Sequence, residues 1–262
     1  MPFYYYDLTF VFLLPALILS IFAQQRIASR YLKYAGIFSR RNMTGAEAAR
    51  KLLRASGIID VEVEEIGAKK TAETFFNFSE AKKELAPRDQ RHLTELLDHY
   101  DPRSRTIRLS RHVYEGNSIS ALAIAAHEAG HAIQHSEAYA PLKIRNAVVP
   151  VVNFASRISL PLFFLGAFFI TPDTHIGAII MNIAILMFSS VALFQLITLP
   201  VEFDASKRAA HMLLANYCID EEEVGGVKKV LNAAALTYVA AALSSLLTLF
   251  RFFFLTRGRG RR

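Results

Sequence analysis

Four long apolar blocks divide the chain, and the segments between them mix polar and apolar residues. The blocks cover residues 8–23, 147–170, 176–199 and 231–255. A helix needs about 20 consecutive apolar residues to cross the hydrocarbon core of a bilayer. The third block meets this length cleanly, and the other three come near it. The pattern predicts a mainly α-helical membrane protein with about four transmembrane helices.

The first block, residues 8–23, is short for a span, so a cleaved signal peptide is the alternative interpretation. It has no basic segment in front of it, and no small-residue cleavage site precedes Gln24. Both features are expected of a secretory signal. We therefore predict an uncleaved N-terminal anchor.

The second and third blocks are separated only by residues 171–175, which predicts a transmembrane hairpin. The first half of the second block is poorly suited to hydrocarbon because it contains Pro150 and Arg157, and Pro161 follows shortly after. A charge at mid-bilayer costs at least about 2.5–3.5 kcal/mol. Arg157 is therefore expected to reach the interface or to face protein.

Basic residues predict the orientation of the spans. Lysine and arginine follow the first and third blocks, at positions 26, 30, 33, 40, 41, 207, 208, 228 and 229. Because cytoplasmic loops carry an excess of Lys and Arg, residues 24–146 and 200–230 are predicted to be cytoplasmic, with the N-terminus outside. The basic tail, residues 257–262, disagrees, since four spans would put it outside. A fourth block lying along the interface is the alternative, and we predict four spans.

This topology divides the chain into five parts. They are an N-terminal anchor (1–23), a cytoplasmic part (24–146), a transmembrane hairpin (147–199), a further helix (200–230), and a C-terminal transmembrane helix with a basic tail (231–262).

The cytoplasmic part is predicted to be α+β, with a short β-hairpin or small sheet. Its signals are a capping box at 44–47 before a helix that ends near 56–57, alternating strands at 61–64 and 106–110, and a turn at 101–104. Residues 67–92 show little periodicity, and we expect helix, loop and mobility there.

Composition narrows the class of protein further. The chain has a net charge of +7, a mean hydropathy of +0.26 and a single cysteine, Cys218. One cysteine excludes an intramolecular disulfide framework and a cysteine-based zinc site. The basic residues lie beside the apolar blocks, which indicates contacts with anionic lipid head groups rather than with nucleic acid. The lipid bilayer is therefore an expected partner, and nucleic acid is not.

The run His127-Glu128-Ala129-Gly130-His131 carries the strongest chemical signal. It lies in a predicted helix, residues 119–135, that Ser118 or Ser120 can cap. Two imidazoles four residues apart share one helix face and can bind one Zn²⁺, and the glutamate beside the first can act as general base toward a metal-activated water. The alternative is two surface histidines with an ordinary glutamate. The apolar part of this helix is too short for a span, so the site is expected beside the membrane.

A catalytic zinc site usually has three protein ligands, so one more is needed beyond His127 and His131. Glu202 is the best candidate, because the predicted hairpin returns the chain to the same side of the membrane just before it. Pro200 is expected to open a new helix there. Asp204 is the alternative acidic residue, but it lies about 200° around the helix from Glu202, so both cannot face one ion.

The remaining histidines are weaker candidates. His135 lies on the same helix face, but three histidines along one straight helix extend over about 12 Å, too far for one tetrahedral ion. We predict that His135 lies behind the ligands or at the surface. His99, His112 and His211 are expected to be surface or capping residues.

Two further features each allow a functional and an ordinary structural interpretation. Gly130 lacks a side chain between the two histidines, which would let another helix approach closely; plain helix packing is a compatible alternative. Residues 106–110 could form a sheet edge that binds substrate backbone as an added strand. The alternative is an ordinary hairpin strand.

These motifs resemble the YugP-type membrane zinc metallopeptidases, also called the neutral zinc metallopeptidase family. The similarity covers nearly the whole chain and is carried by the His127–His131 run, Tyr100-Asp101-Pro102, Arg108-Leu109-Ser110 and Glu202-Phe203-Asp204-Ala205-Ser206. A more distant similarity is to the HtpX and CAAX prenyl proteases, in which a second helix supplies a glutamate ligand followed four residues later by an aspartate. Ser206 stands at that position here, which puts the carboxylate that usually supports the site in doubt. The resemblance implies a cytoplasm-facing peptidase.

The sequence therefore predicts a membrane-anchored zinc metalloendopeptidase with a zincin-like, gluzincin-type catalytic part. His127, His131 and Glu202 are the expected ligands of Zn²⁺, and Glu128 is the expected general base. Its substrates would be peptides or membrane-protein segments at the cytoplasmic face of a bacterial cell membrane. Two alternatives stay open: a non-enzymatic zinc-binding membrane scaffold, and a site-2-type intramembrane protease. The latter would need the motif within a span and a Leu-Asp-Gly element, which the sequence does not contain.

Overall fold

Helices make up most of the described chain. The computed structural model describes residues 8–66, 98–169 and 175–257. A 3₁₀ turn, Leu8–Leu13, leads into the first of seven described α-helices: α1 (Leu14–Ala35), α2 (Gly45–Ala55), α3 (Arg111–Tyr114), α4 (Ile119–Ser136), α5 (Ala140–Phe168), α6 (Ile176–Ala215) and α7 (Glu221–Arg257). Three strands complete the fold: β1 (Glu62–Glu65), β2 (His99–Asp101) and β3 (Thr106–Leu109). The helix and loop predicted for residues 67–92 fall outside the described residues.

Four of these helices, α1, α5, α6 and α7, are long and apolar enough to cross a membrane. Only 11–28% of the residues in their most apolar windows are buried. Large side chains such as Phe154, Phe164 and Leu186 are exposed on them. Exposure of such large apolar surfaces to water is unfavourable, whereas contact with lipid is not. The predicted fold class, a mainly α membrane protein with four spanning helices and a small sheet, is confirmed.

One compact unit contains the most apolar helical segments: Met1–Gln24, Ala140–Glu202 and Leu236–Arg262. Phe163 of α5 stacks on Phe252 of α7, with ring centroids 4.1 Å apart. A Cβ atom at Gly166 of α5 would lie 2.9 Å from the carbonyl oxygen of Gly177 in α6. Small residues allow such close helix contacts in membranes. The close packing of α5 on α6 agrees with the predicted hairpin, whose linker lies almost entirely outside the described residues.

The last turns of α7 lie beside the 3₁₀ turn Leu8–Leu13 in the same unit. The guanidinium of Arg251 stands 3.7 Å from the ring centroid of Phe10, and its Nε donates to the hydroxyl of Thr9 over 3.0 Å. With four spans, the start of the first helix and the end of the fourth lie on one side of the membrane. The contact therefore supports a fourth block that spans rather than one that lies along the interface.

Helix α6 corrects one expectation. Pro200 was expected to open a new helix, but α6 runs without a break from Ile176 to Ala215 and contains Pro200 in its interior. Helix α5 likewise contains Pro150 and Pro161. Proline removes one backbone hydrogen bond, and long membrane helices tolerate this because neighbouring groups satisfy the freed carbonyl. A proline is thus a poor boundary marker in such helices.

The second unit comprises Gln25–Tyr139 and Phe203–Ala235. Its helix α2 begins with the predicted capping box: the hydroxyl of Thr44 accepts from the amide of Glu47, and the Glu47 carboxylate accepts from the amide of Thr44. Buried alanine and leucine side chains of α2 pack against α4. The helix ends at Ala55, with Ser56 as its C-cap, as the sequence predicts.

The small sheet has the order β1-β3-β2, with β1 parallel and β2 antiparallel to β3. The predicted turn joins β2 to β3, and the Asp101 carboxylate accepts from the amide of Arg103 over 2.9 Å. The hypothesis that residues 106–110 form a sheet edge is wrong, since β3 is paired on both sides. Its parallel partner β1 lies some 40 residues earlier in the chain, and local turn signals do not reveal such a pairing. Strand β2 borders the sheet among the described residues.

Candidate metal centre

Helix α4 carries the histidine motif, and a serine fixes where it starts. The hydroxyl of Ser118 accepts from the amide of Ala121 over 3.2 Å, so Ser118 is the N-cap. Ser120, the other candidate, instead donates to the carbonyl oxygen of Tyr31. The buried alanine-rich face of α4 packs into the core of its unit. The rings of His127 and His131 stand side by side on the same helix, with centroids 4.7 Å apart.

Gly130 lets the backbone of α6 touch α4. A Cβ atom at this position would lie 2.8 Å from the carbonyl oxygen of Ala205 and 3.3 Å from its Cα atom. Real Cβ atoms essentially never approach other atoms within 3.0 Å. The predicted close approach of a second helix at Gly130 is therefore confirmed, and that helix is the part of α6 that contains Ser206.

The structure brings together the three residues expected to bind the metal. One ligand atom each from His127, His131 and Glu202 lie within 4.8 Å of one another, and no other group of this kind occurs in the described part of the chain. Glu202 is 1% exposed. Its Oε1 lies 3.4 Å from Nη1 of Arg145, a positive charge that sequence reasoning did not single out. A buried carboxylate needs such partners, because its desolvation is costly.

Asp204, the alternative acidic residue, points elsewhere. Its Oδ2 accepts from Nε2 of Gln134 over 2.8 Å and from Nε of Arg208 over 2.6 Å. The oxygen of the Gln134 amide in turn lies 3.0 Å from Nδ1 of His131. Asp204 thus reaches the motif through another side chain rather than joining the ligand cluster. Gln134 was not predicted, although its position three residues after His131 on a helix could have indicated the contact.

Ser206 stands against the other histidine of the motif. Its hydroxyl lies 3.2 Å from Nδ1 of His127. The position that carries an aspartate in the more distant families therefore carries a hydroxyl here, and it keeps contact with the ring. Nδ1 of His131, in contrast, contacts the side-chain oxygen of Gln134.

Glu128 is buried beside the edge of the sheet. Its Oε2 accepts from the backbone amide of Tyr100 in β2 over 2.8 Å. The Tyr100 hydroxyl lies 2.7 Å from Nδ1 of His135, so this histidine contacts the sheet. His135, like His99, His112 and His211, lies outside the ligand cluster. The role of Tyr100 beside the motif was missed, because nothing local in the sequence links β2 to α4.

The Asp101 carboxylate ends β2 at this sheet edge and pairs with Arg108 over 3.1 Å. The amide of Arg103, with the hydroxyl of Ser104 and the guanidinium of Arg108, lowers the pKa of Asp101 to about 2. Burial, and then the charge of Asp101, raise the pKa of Tyr100 above its usual value. Asp101 is therefore ionised at neutral pH, and the tyrosine beside it stays protonated.

Four membrane-length helices and a His–His–Glu cluster are the features expected of a membrane-bound metallopeptidase. The profile of the family described as "Putative neutral zinc metallopeptidase" matches residues 9–83 and 90–257, and the chain belongs to this family. It is similar to the "Putative membrane protease YugP" of Bacillus subtilis (strain 168), with 44% identity over 244 residues that cover 93% of this chain and 94% of that protein. No solved structure matches the chain.

The family description names zinc, and the side chains present suit that ion. Two imidazoles and one carboxylate are the donor set of many catalytic zinc sites. A set without thiolates also leaves the site independent of Cys218, which is buried elsewhere in the second unit. A peptidase of this family implies a peptide substrate, and the four apolar helices imply a lipid bilayer around them.

Proposed function

We propose that the chain is a membrane-anchored zinc endopeptidase of the gluzincin type. His127, His131 and Glu202 would hold the ion, and Glu128 would act as general base. The observation that carries this proposal is the convergence of ligand atoms from three residues, two on α4 and one on α6, within 4.8 Å. Family membership supports a zinc-dependent protease chemistry for that cluster.

The chain's own residues fit the acid–base part of peptide hydrolysis. Bound zinc supplies a Lewis acid that polarises the scissile carbonyl and makes water more acidic. Glu128 follows His127 directly, so its carboxylate can take a proton from the attacking water and deliver one to the leaving amine. The Tyr100 amide, 2.8 Å from Oε2 of Glu128, holds the carboxylate in place.

The edge of β2 that faces away from β3 is the proposed position for the substrate backbone. The amide of Tyr100 is directed toward Glu128 rather than toward β3. The amide and carbonyl of one strand residue point to the same side, so the carbonyl of Tyr100 also lies on the outer edge. An extended peptide that added to this edge would pass the Glu128 carboxylate. This replaces the earlier hypothesis for β3.

The lysine and arginine distribution supports a catalytic unit on the cytoplasmic face of a bacterial membrane. Helix α4 is not among the helices of membrane length in the described chain, which argues against cleavage in the bilayer centre. The expected substrates are therefore peptides, or segments of membrane proteins that reach this surface.

Replacing Glu128 with glutamine tests the proposal. Glu128→Gln should bind zinc as the wild type does and should lose hydrolysis of an unfolded protein such as casein. Glu115→Gln is a matched control, because Glu115 is an exposed carboxylate paired with Arg111 and should leave both properties unchanged. Hydrolysis that survives in Glu128→Gln would contradict the assigned base. Stoichiometric zinc without any turnover by the wild type would favour a zinc-binding scaffold instead.

A further inference from the structure

Gln134 is an unusual residue to find on the buried face of α4, in its last turn. Its side chain is 0% exposed, in a helix whose other buried residues are mostly apolar. A buried amide is costly unless its oxygen and nitrogen both find hydrogen-bond partners. Both ends are bonded here: the oxygen lies 3.0 Å from Nδ1 of His131, and the nitrogen lies 2.8 Å from Oδ2 of Asp204.

The chemistry of these partners decides which atom carries each hydrogen. The Asp204 carboxylate is paired with Arg208 over 2.6 Å and can only accept hydrogen bonds. The nitrogen of the Gln134 amide must therefore face Asp204, which turns the amide oxygen toward His131. An amide oxygen can only accept, so Nδ1 of His131 must donate. A neutral imidazole that is protonated at Nδ1 has its lone pair at Nε2.

The chain of partners continues to the surface. Arg208 also pairs with Glu137, just after the end of α4, over 2.6 Å. Asp204 is thus held by a cation that is itself held by a second carboxylate. The Ser206 hydroxyl beside His127 can either donate or accept, so this contact does not select one tautomer of His127.

We propose that Gln134, oriented by Asp204 and Arg208, is a positioning residue that fixes His131 in its Nδ1-protonated tautomer with Nε2 presented to the metal. This inference rests on the proposed metal site, but not on peptide hydrolysis. The tautomer of His131 would be set by the protein before any ion binds, so the site is prepared for zinc by a neutral amide rather than by a carboxylate in direct contact with the ring.

The test compares the wild type with Gln134→Leu by two measurements. The first is imidazole ¹⁵N NMR of the zinc-free protein with labelled histidine at about pH 8, where free imidazole is neutral; the His131 signals are assigned by their loss in His131→Asn. The second is zinc affinity by competition with a chelator. We expect Nδ1-protonated His131 in the wild type, loss of that preference in Gln134→Leu, and zinc affinity about 10–100-fold lower.

Two further variants keep the test independent of folding. Gln134→Glu combined with Asp204→Asn exchanges the amide and the carboxylate at unchanged net charge. The new carboxylate can still accept from Nδ1 of His131. The hydrogen bond between positions 134 and 204 forms in the opposite direction, with the asparagine oxygen left to accept from Arg208. The exchange variant should bind zinc within a few fold of the wild type. Ser120→Ala removes a buried hydrogen bond from the same helix, to the carbonyl of Tyr31, and should leave zinc affinity and the His131 tautomer unchanged.

Three results would overturn the inference. These are wild-type affinity in Gln134→Leu, an Nε2-protonated His131 in the zinc-free wild type, or loss of affinity in a folded exchange variant. Failure of the proposed function looks different: a wild type that binds zinc through a fixed His131 but cleaves no peptide would leave Gln134 in its role and remove only the peptidase assignment.

Discussion

The contact at Gly130 allows a quantitative prediction about the site. A Cβ atom introduced by Gly130→Ala would lie 2.8 Å from the Ala205 carbonyl oxygen, where ordinary contact begins at 3.4 Å. The two helices must separate by roughly 0.6 Å to accept it. Alanine itself favours the helix over glycine by about 0.5–1 kcal/mol, whereas overpacking costs about 1–3 kcal/mol. The free energy of unfolding should therefore fall by about 0–2.5 kcal/mol.

Zinc affinity should respond more strongly than stability. Ser206 follows Ala205 directly and contacts His127, so a shift of α6 moves a group that supports a ligand. Metal–ligand distances tolerate deviations of only about 0.2 Å. We expect the zinc affinity of Gly130→Ala, measured by chelator competition, to be about 10-fold lower or weaker still. Thermal unfolding in detergent, with and without zinc, measures the stability of the same variant.

Gly225→Ala provides the matched control. Gly225 also lies inside a helix, and none of the described atoms would come within 4 Å of its Cβ. This variant should gain about 0.5–1 kcal/mol from helix propensity alone and bind zinc as the wild type does. If Gly130→Ala were stabilised as much as Gly225→Ala and kept its zinc affinity, the close packing of α4 on α6 would not position the site.

Two further predictions concern the surroundings of the motif. Ser206→Ala should weaken zinc binding by about 10–100-fold in chelator competition because Nδ1 of His127 loses its contact with the Ser206 hydroxyl. Ser206→Asp should restore the affinity, and equal affinity in all three proteins would contradict the prediction. Asp101→Asn should destabilise the protein at neutral pH. Since the folded-state pKa of Asp101 is lowered from 3.8 to about 2, its stabilising effect is present above about pH 4 and lost as pH falls toward 2. Unfolding midpoints of the two proteins should therefore converge at acid pH, and a constant difference would oppose the reasoning.

Local signals in the sequence predict local structure well here. The helix that carries His127 and His131 begins one residue after Ser118, because a serine hydroxyl can satisfy an amide in the first turn. The third member of the cluster, Glu202, was predicted from topology, since a transmembrane hairpin returns the chain to the side from which it left. The four-residue spacing of the histidines and the reversal of the chain through the hairpin can both be recognised from the sequence alone.

Features that depend on distant partners could not be predicted. The central position of β3 follows from pairing with β1, and the separation along the chain hides it. Helix α6 continues through Pro200 because a long membrane helix tolerates the loss of one backbone hydrogen bond. The three-residue spacing from His131 to Gln134 is visible in the sequence, but the contact of Gln134 with Asp204 on another helix is not.

Zinc content tests the central claim most directly. The claim is that His127 and His131 share one ion with Glu202, while Asp204 acts only through Gln134. Metal analysis of purified protein at saturating zinc should find about one ion per chain in the wild type and in Asp204→Ala, and far less in Glu202→Ala. A full complement of zinc in Glu202→Ala, or its loss in Asp204→Ala alone, would contradict the proposed ligand set.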